Sequence, residues 1–305
     1  MTDLRASASR DSTAIAVQNV TRTYGRVRAL DGVNLTIGQN TICGLLGSNG
    51  AGKTTLMSLI AGHDRPSAGS ITVQGEHPFE SAVVANNTSF VRDNQRYPDD
   101  YVLKHAIGTA RIFHPNWSSD LEERLIKQFD LPLKTPVKKF SRGQLSAIAI
   151  IIGLASRAPI TIFDEPYLGL DISARRRFYE ILLEDYSAHP RTIIISTHLV
   201  EEMEAMFDQV VVLHKGRIVL DASPDDLSAK AFEFSGHTAA VLELSEGLNT
   251  LSTRTVGSLA STVVLDRLTP ELRDRATALG VTLSPAPIHD LVAAIGNVYA
   301  PEEEA

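Results

Sequence analysis

The feature that most constrains this chain is eight residues long. An apolar run, Thr41 to Leu46, breaks into Gly47-Ser48-Asn49-Gly50-Ala51-Gly52-Lys53-Thr54, and a helical stretch from Lys53 to Ala61 follows, closed by Gly62. An uninterrupted apolar run of this kind is expected of a strand buried on both faces, as in a parallel sheet covered by helices. The loop fits the pattern Gly, four residues, Gly-Lys-Ser/Thr. Its glycines let backbone N–H groups turn inward and approach a ligand with no Cβ in the way. The helix that follows adds its own free N–H groups and the positive end of its dipole. That is the chemistry of a phosphate chain. Gly47, Ser48, Asn49, Gly50, Ala51 and Gly52 form the cradle, Lys53 supplies charge for β- and γ-phosphates, Thr54 offers a hydroxyl to Mg²⁺, and Thr55 completes the binding set.

Two further positions belong beside this loop. Ile160 to Phe163 is an apolar strand ending in Asp164-Glu165, and ligands of open α/β sheets bind at the carboxyl ends of the strands. Asp164 is expected to hold Mg²⁺, and Glu165 to polarise an attacking water as a positioned base does. The strand Thr192 to Ile195 delivers Ser196-Thr197-His198 to the same edge. His198 is expected to sense the γ-phosphate.

The remaining texture frames these motifs. Ile15 to Val20 and Leu30 to Ile37 alternate like strands, and Ile71 to Val73 is another. Asp99 to Asp130 is helical, with a stripe at Leu121, Leu125, Ile126 and Phe129. Helices are expected at Ser141 to Ser156, Ser173 to Tyr186 and Leu199 to Met206, with a strand at Gln209 to Leu213. After about Ser228 the pattern changes: strands at Ala239 to Leu244 and Thr262 to Leu265, a helix opened by Thr269-Pro270 and closed by Gly280, and a last helix at His289 to Ile295.

Composition excludes several classes. The net charge is −7 over 305 residues, and the basic clusters are short, Lys138-Lys139 and Arg175-Arg176-Arg177; no nucleic-acid partner is expected. The single cysteine, Cys43, excludes a disulfide framework and fits a reducing compartment. The longest apolar stretch, Ala147 to Ala155, falls far short of the ~20 residues that cross a bilayer. The N-terminus shows no apolar core of a signal peptide. A cytoplasmic protein is expected, with any membrane role exercised through a partner.

Phe140-Ser141-Arg142-Gly143-Gln144 resembles the signature of ABC ATPases, usually written Leu-Ser-Gly-Gly-Gln, and it precedes the Asp164-Glu165 strand as in that family. Tyr24 resembles the aromatic that stacks on adenine, Gly169-Leu170-Asp171 the D-loop, and His198 the switch histidine. The resemblance covers Ile15 to Ser228. It implies an ATP- and Mg²⁺-dependent ATPase with the P-loop NTPase fold, a cassette over 14–228 with a helical subdomain over about 94–157. Outside it, the low-complexity start over 1–13 is expected to be disordered, and the change of pattern marks a small α+β unit over 229–305 ending in an acidic tail. The resemblance also implies a head-to-tail dimer, of identical or related subunits, in which Ser141, Gly143, Gln144 and Asp171 of one subunit close over ATP on the other. Such a dimer drives a separate membrane permease, on the inner face of the membrane. Ser141 is a natural N-cap, and Gly143 would leave room for a phosphate. Arg142 stands where the family has Gly; its cation either lies along the phosphates or faces solvent. The Q-loop residue that touches Mg²⁺ aligns with Asp93, Gln95 being the alternative. Phe113-His114-Pro115-Asn116-Trp117 resembles a segment of bacterial exporter ATPases in the bacitracin-type and acetoin-linked branch, which implies export.

Overall fold

A computed structural model describes residues 13–92 and 95–298. The expectations for the N-terminal tail through Ser12, for Asp93 and for the acidic run Glu302 to Glu304 lie outside the described residues; Thr13 is the first residue of a strand.

Strands β1 (Thr13–Tyr24), β2 (Val27–Gly38) and β4 (Ala68–Val73) form an antiparallel sheet in the order β2-β1-β4. The main sheet has six strands: β3 (Ile42–Leu46), β5 (Thr88–Arg92), β6 (Ile160–Asp164), β7 (Thr192–Thr197), β8 (Gln209–His214) and β9 (Arg217–Ala222), in the order β5-β6-β7-β3-β8-β9. Every neighbouring pair is parallel except β8 with β9. All five residues of β3 are buried, as a strand covered on both faces requires. One core lies between this sheet and the antiparallel one, around Ile15, Ile37, Leu56 and Ile162. The other lies on the opposite face, around Ile150, Phe163, Phe178 and Leu182.

Helix α1 (Lys53–Ile60) follows β3, and α2 (Ala82–Asn87) leads into β5. Helices α3 (Leu103–Phe113), α4 (Ser119–Gln128) and α5 (Arg142–Ala155) pack together through Leu103, Ile107, Leu121, Leu125 and Ile148. Helix α6 (Ile172–Ala188) connects β6 to β7. The expected helix Leu199 to Met206 shrinks to one turn, α7 (Val200–Met203), and a 3₁₀ turn over Glu204–Met206.

Beyond α8 (Pro224–Lys230) comes a four-stranded antiparallel sheet, β10 (Ala231–His237), β11 (Thr250–Val256), β12 (Leu259–Leu265) and β13 (Thr282–Pro285), in the order β11-β12-β10-β13. The expected strand Ala239 to Leu244 is a helix instead, α9 (Thr238–Ser245). Its buried side chains, Val241 and Leu244, are three apart. That spacing puts them on one helical face, where they meet Phe232, Phe234 and Val264. Thr269 caps α10 (Pro270–Ala278) by accepting from Leu272 N–H at 3.2 Å. The last helix, α11 (Ile288–Val298), inserts Ile288 and Leu291 into the core that holds Val200 and Met203 of α7.

Candidate functional site

The loop after β3 is held open by conformations that glycine alone adopts freely. Gly47, Gly50 and Gly52 have φ of 146°, 79° and 108°, the region closed to most side chains. A Cβ at Gly47 would sit 2.2 Å from Leu213 O, and one at Gly52 2.6 Å from Ala29 O. Gly52 precedes α1 without any side-chain cap, so the first N–H groups of the helix remain for a ligand. Lys53 is 6% exposed and bends back over the loop, donating from Nζ to Gly47 O at 2.7 Å and Ser48 O at 3.2 Å.

The acids of β6 meet this loop. Thr54 Oγ1 donates to Asp164 Oδ2 at 2.7 Å, and Ser196 Oγ donates to Asp164 Oδ1 at 2.7 Å. Glu165 N–H donates in turn to Ser196 Oγ at 3.0 Å. Glu165 carries a φ of 50°, a conformation a non-glycine residue holds only when its surroundings impose it. Its carboxylate lies between two cationic or polar groups, Oε1 3.7 Å from Lys53 Nζ and Oε2 3.5 Å from His198 Nδ1. His198 is fixed by Tyr167, whose hydroxyl accepts from His198 N–H at 2.9 Å and lies 3.3 Å from Nδ1. The Tyr167 ring meets the imidazole edge-on at 5.6 Å. Burial pushes the Tyr167 phenol up to about 12.

Lys53, Thr54, Asp164 and Glu165 border a cavity of about 640 Å³, which His198 does not line. Asn49, Gly50, Gly52, Lys53, Thr54, Thr55, Asp164 and Glu165 line it, as do Arg28, Arg92 and Lys215, which the sequence reading did not single out. The hydroxyl of Thr54 and the carboxylate of Asp164 make a small, all-oxygen donor set. Such a set suits Mg²⁺, which takes few protein ligands alongside phosphate oxygens. A second cavity of about 280 Å³ lies behind the loop, among Ser48, His198, His214 and His289 of α11.

Other expected site residues stand apart from the cavity. Tyr24 is not among its lining; its hydroxyl donates to Asp64 at 2.6 Å, and the Arg22 guanidinium covers one ring face at 4.4 Å. One face of Tyr24 is thereby occupied. Ser141 caps α5: its Oγ accepts from Gln144 N–H at 3.2 Å, and Gln144 Oε1 accepts from Ser141 N–H at 2.9 Å. This reciprocal box engages the Ser141 and Gln144 side chains with each other's backbone. Gly143 packs against the neighbouring turn, where a Cβ would lie 2.5 Å from Gly169 O. Asp171 caps α6, accepting from Ala174 N–H at 2.7 Å. Ser141, Arg142 and Asp171 are exposed, as is Gln95.

One of the missed residues had a signal: Tyr167 is an aromatic two positions after Glu165. Arg92 belongs to no motif. Ser196 had none beyond its place before Thr197-His198.

Comparison with known proteins points the same way. A family profile described as "ABC transporter" matches residues 30–168, and one described as "AAA domain, putative AbiEii toxin, Type IV TA system" matches residues 133–204. The chain is 32% identical over 218 residues to the ABC transporter ATP-binding protein NatA of Bacillus subtilis, covering 66% of this chain and 84% of NatA. It is 29% identical over 242 residues to the bacitracin transport ATP-binding protein BcrA of Bacillus licheniformis, covering 76% of this chain and 78% of BcrA. Other relatives are longer, the chain spanning 44% of one and 66% of another. Among solved structures, that of an ATP-binding subunit of an ABC transporter superposes with a TM-score of 0.64 at 26% identity, over 70% of this chain and 92% of that one.

Proposed function

This chain belongs to the ATP-binding proteins of ABC transporters, and on that footing we propose that it hydrolyses ATP as the motor subunit of a transporter whose permease is a separate membrane protein. The observation that carries this reading is the meeting of the glycine loop with Asp164 and Glu165, joined by the Thr54–Asp164 hydrogen bond at 2.7 Å.

In this reading the N–H groups of Gly47 to Thr54 bind the phosphate chain, and Lys53 exchanges the loop carbonyls for β- and γ-phosphate oxygens. Thr54 and Asp164 hold Mg²⁺, which when bound offsets negative charge on those oxygens. Glu165 orients a water for in-line attack and accepts its proton. The new bond forms between the water oxygen and the γ-phosphorus, the bond to the β–γ bridging oxygen breaks, and ADP and phosphate result. His198, steadied by Tyr167, donates toward the γ-phosphate. Adenine lies against the free face of Tyr24.

We further propose that the site is completed by a second copy or a related subunit. In support, Ser141, Gly143 and Gln144 do not line the chain's own cavity, and the Ser141 end of α5 is exposed. ATP then adds contacts present only in the closed pair, which is what shifts the population toward closure. Among the described residues no helix is long and apolar enough to cross a membrane; in this reading the permease provides the membrane contact. Ile112 and Phe113, 81% and 63% exposed at the end of α3, offer the apolar surface for that contact. Export is the direction proposed, on the resemblance of Phe113 to Trp117. The test is ATP turnover by the purified chain beside Lys53→Ala: turnover abolished in the variant supports the reading, and turnover retained overturns it.

A further inference from the structure

Arg92 ends β5, in parallel register with Asp164 at the end of β6. Both therefore stand at the same edge of the sheet, and both line the cavity that holds Lys53 and Thr54. Its guanidinium is placed by two contacts. Nη2 donates to Ser58 Oγ at 2.8 Å, and Cζ lies 4.5 Å over the ring of Phe90. Ser58 is one helical turn beyond Thr54 on α1, so the tether sets Arg92 on the Thr54 face of the helix. The Nε donor is buried and has no acceptor among the described residues, and no ion pair among them uses Arg92. A buried donor without an acceptor costs free energy unless a ligand supplies one.

Local charge gives this cation work to do. Asp164 and Glu165 place two carboxylates beside the phosphate site, against Lys53, which already lies 3.7 Å from Glu165. A triphosphate approaching these groups meets like charge unless further positive charge is present. Two other cations line the cavity: Arg28, which is paired with Asp31 at 2.9 Å, and Lys215, which stands on the turn between β8 and β9, across β3 from the β6 side. Resting on the ATP-binding reading above, we infer that Arg92 is a second phosphate-binding cation of this site, acting on the Thr54–Asp164 side of the triphosphate. Its contribution is greatest where no divalent ion shares that side. Arg92 therefore lowers the dependence of nucleotide binding on Mg²⁺.

The experiment is ATP affinity by calorimetry for the full chain, once with Mg²⁺ and once with EDTA, for the wild type, Arg92→Gln, Arg92→Lys and Ser58→Ala. Arg92→Gln is expected to weaken metal-free ATP binding about tenfold or more, the size of a lost charge-assisted hydrogen bond, and Mg²⁺–ATP binding much less. Arg92→Lys recovers most of the metal-free affinity, and Ser58→Ala leaves the ratio of the two affinities near that of the wild type. Equal effects of Arg92→Gln in both media, no effect in either, or Ser58→Ala reproducing its pattern would assign Arg92 to bracing β5 on α1 and overturn the inference. A wild type that binds no ATP in either medium defeats the ATP-binding reading itself, and the inference with it.

Discussion

Thr54 Oγ1 donates a 2.7 Å hydrogen bond to Asp164 Oδ2 across 110 positions of sequence, tying the first turn of α1 to the end of β6. The two oxygens are brought together before any ligand is considered, and Ser196 holds the other carboxylate oxygen at 2.7 Å. Replacing the hydroxyl by a methyl group of similar size, Thr54→Val, should leave the fold intact and raise the Mg²⁺ concentration needed for half-maximal ATP turnover about tenfold or more, as losing one ligand to a small hard cation implies. A magnesium titration of turnover measures this; an unchanged midpoint would remove Thr54 from the metal site.

Gly143 is constrained within the chain itself. With Gly169 O only 2.5 Å from where its Cβ would lie, Gly143→Ala must push α5 away from the turn that leads to Asp171. A loss of about 1–3 kcal/mol is expected from such overpacking, measured by urea denaturation of the isolated chain. Stability equal to wild type would mean the turn yields freely.

Tyr167 links protonation to stability. Burial raises its phenol from 10.0 to about 12, so the folded state binds the proton more tightly than the unfolded chain. Its contribution is fully present below pH 10 and declines as pH rises from about 10 toward about 12. Tyr186, also raised to about 12 by burial, acts in the same sense. Denaturation midpoints between pH 8 and pH 12 should fall less steeply for Tyr167→Phe than for wild type. The same variant loses the acceptor of His198 N–H and should reduce turnover several-fold while ATP affinity holds. Parallel pH profiles would contradict the burial argument.

For Tyr24, the geometry gives a directional test. Arg22 covers one ring face at 4.4 Å, which leaves one face for a base. Tyr24→Ala should weaken ATP binding by about 1–3 kcal/mol, one aromatic stack, and Tyr24→Phe should restore it. Unaltered affinity in Tyr24→Ala would place adenine elsewhere.

The site's parts were unequally legible in the sequence. The glycine loop was readable because each glycine answers a local constraint, a positive φ or a carbonyl at contact distance. Buried strands such as β3 and β6 were readable as uninterrupted apolar runs. Helix α9 was misread because Ala239 to Leu244 is a short, nearly uninterrupted apolar run, which periodicity alone assigns to neither strand nor helix; the three-residue spacing of Val241 and Leu244 carried the helical signal. The alternating Phe232 and Phe234 of β10 were passed over for the same reason, a short window read without its neighbours. Arg92 was missed because it belongs to no motif. Only the parallel register of β5 with β6 brings it to Asp164, and register is set by tertiary pairing that a single sequence does not display. The close approach of Gly143 to Gly169 O was also out of reach, since it is a relation between two loops far apart in sequence.

The central claim is that one ATP is held between the glycine loop of one subunit and the Ser141 end of α5 of another. Sedimentation velocity of Glu165→Gln, whose turnover should fall ~100-fold or more with loss of its base, tests it most directly. With ATP and Mg²⁺ the account predicts a dimer that disperses when nucleotide is removed and that Ser141→Arg prevents from forming. Glu165→Gln that binds ATP tightly yet sediments as a monomer alone and with its permease would contradict it.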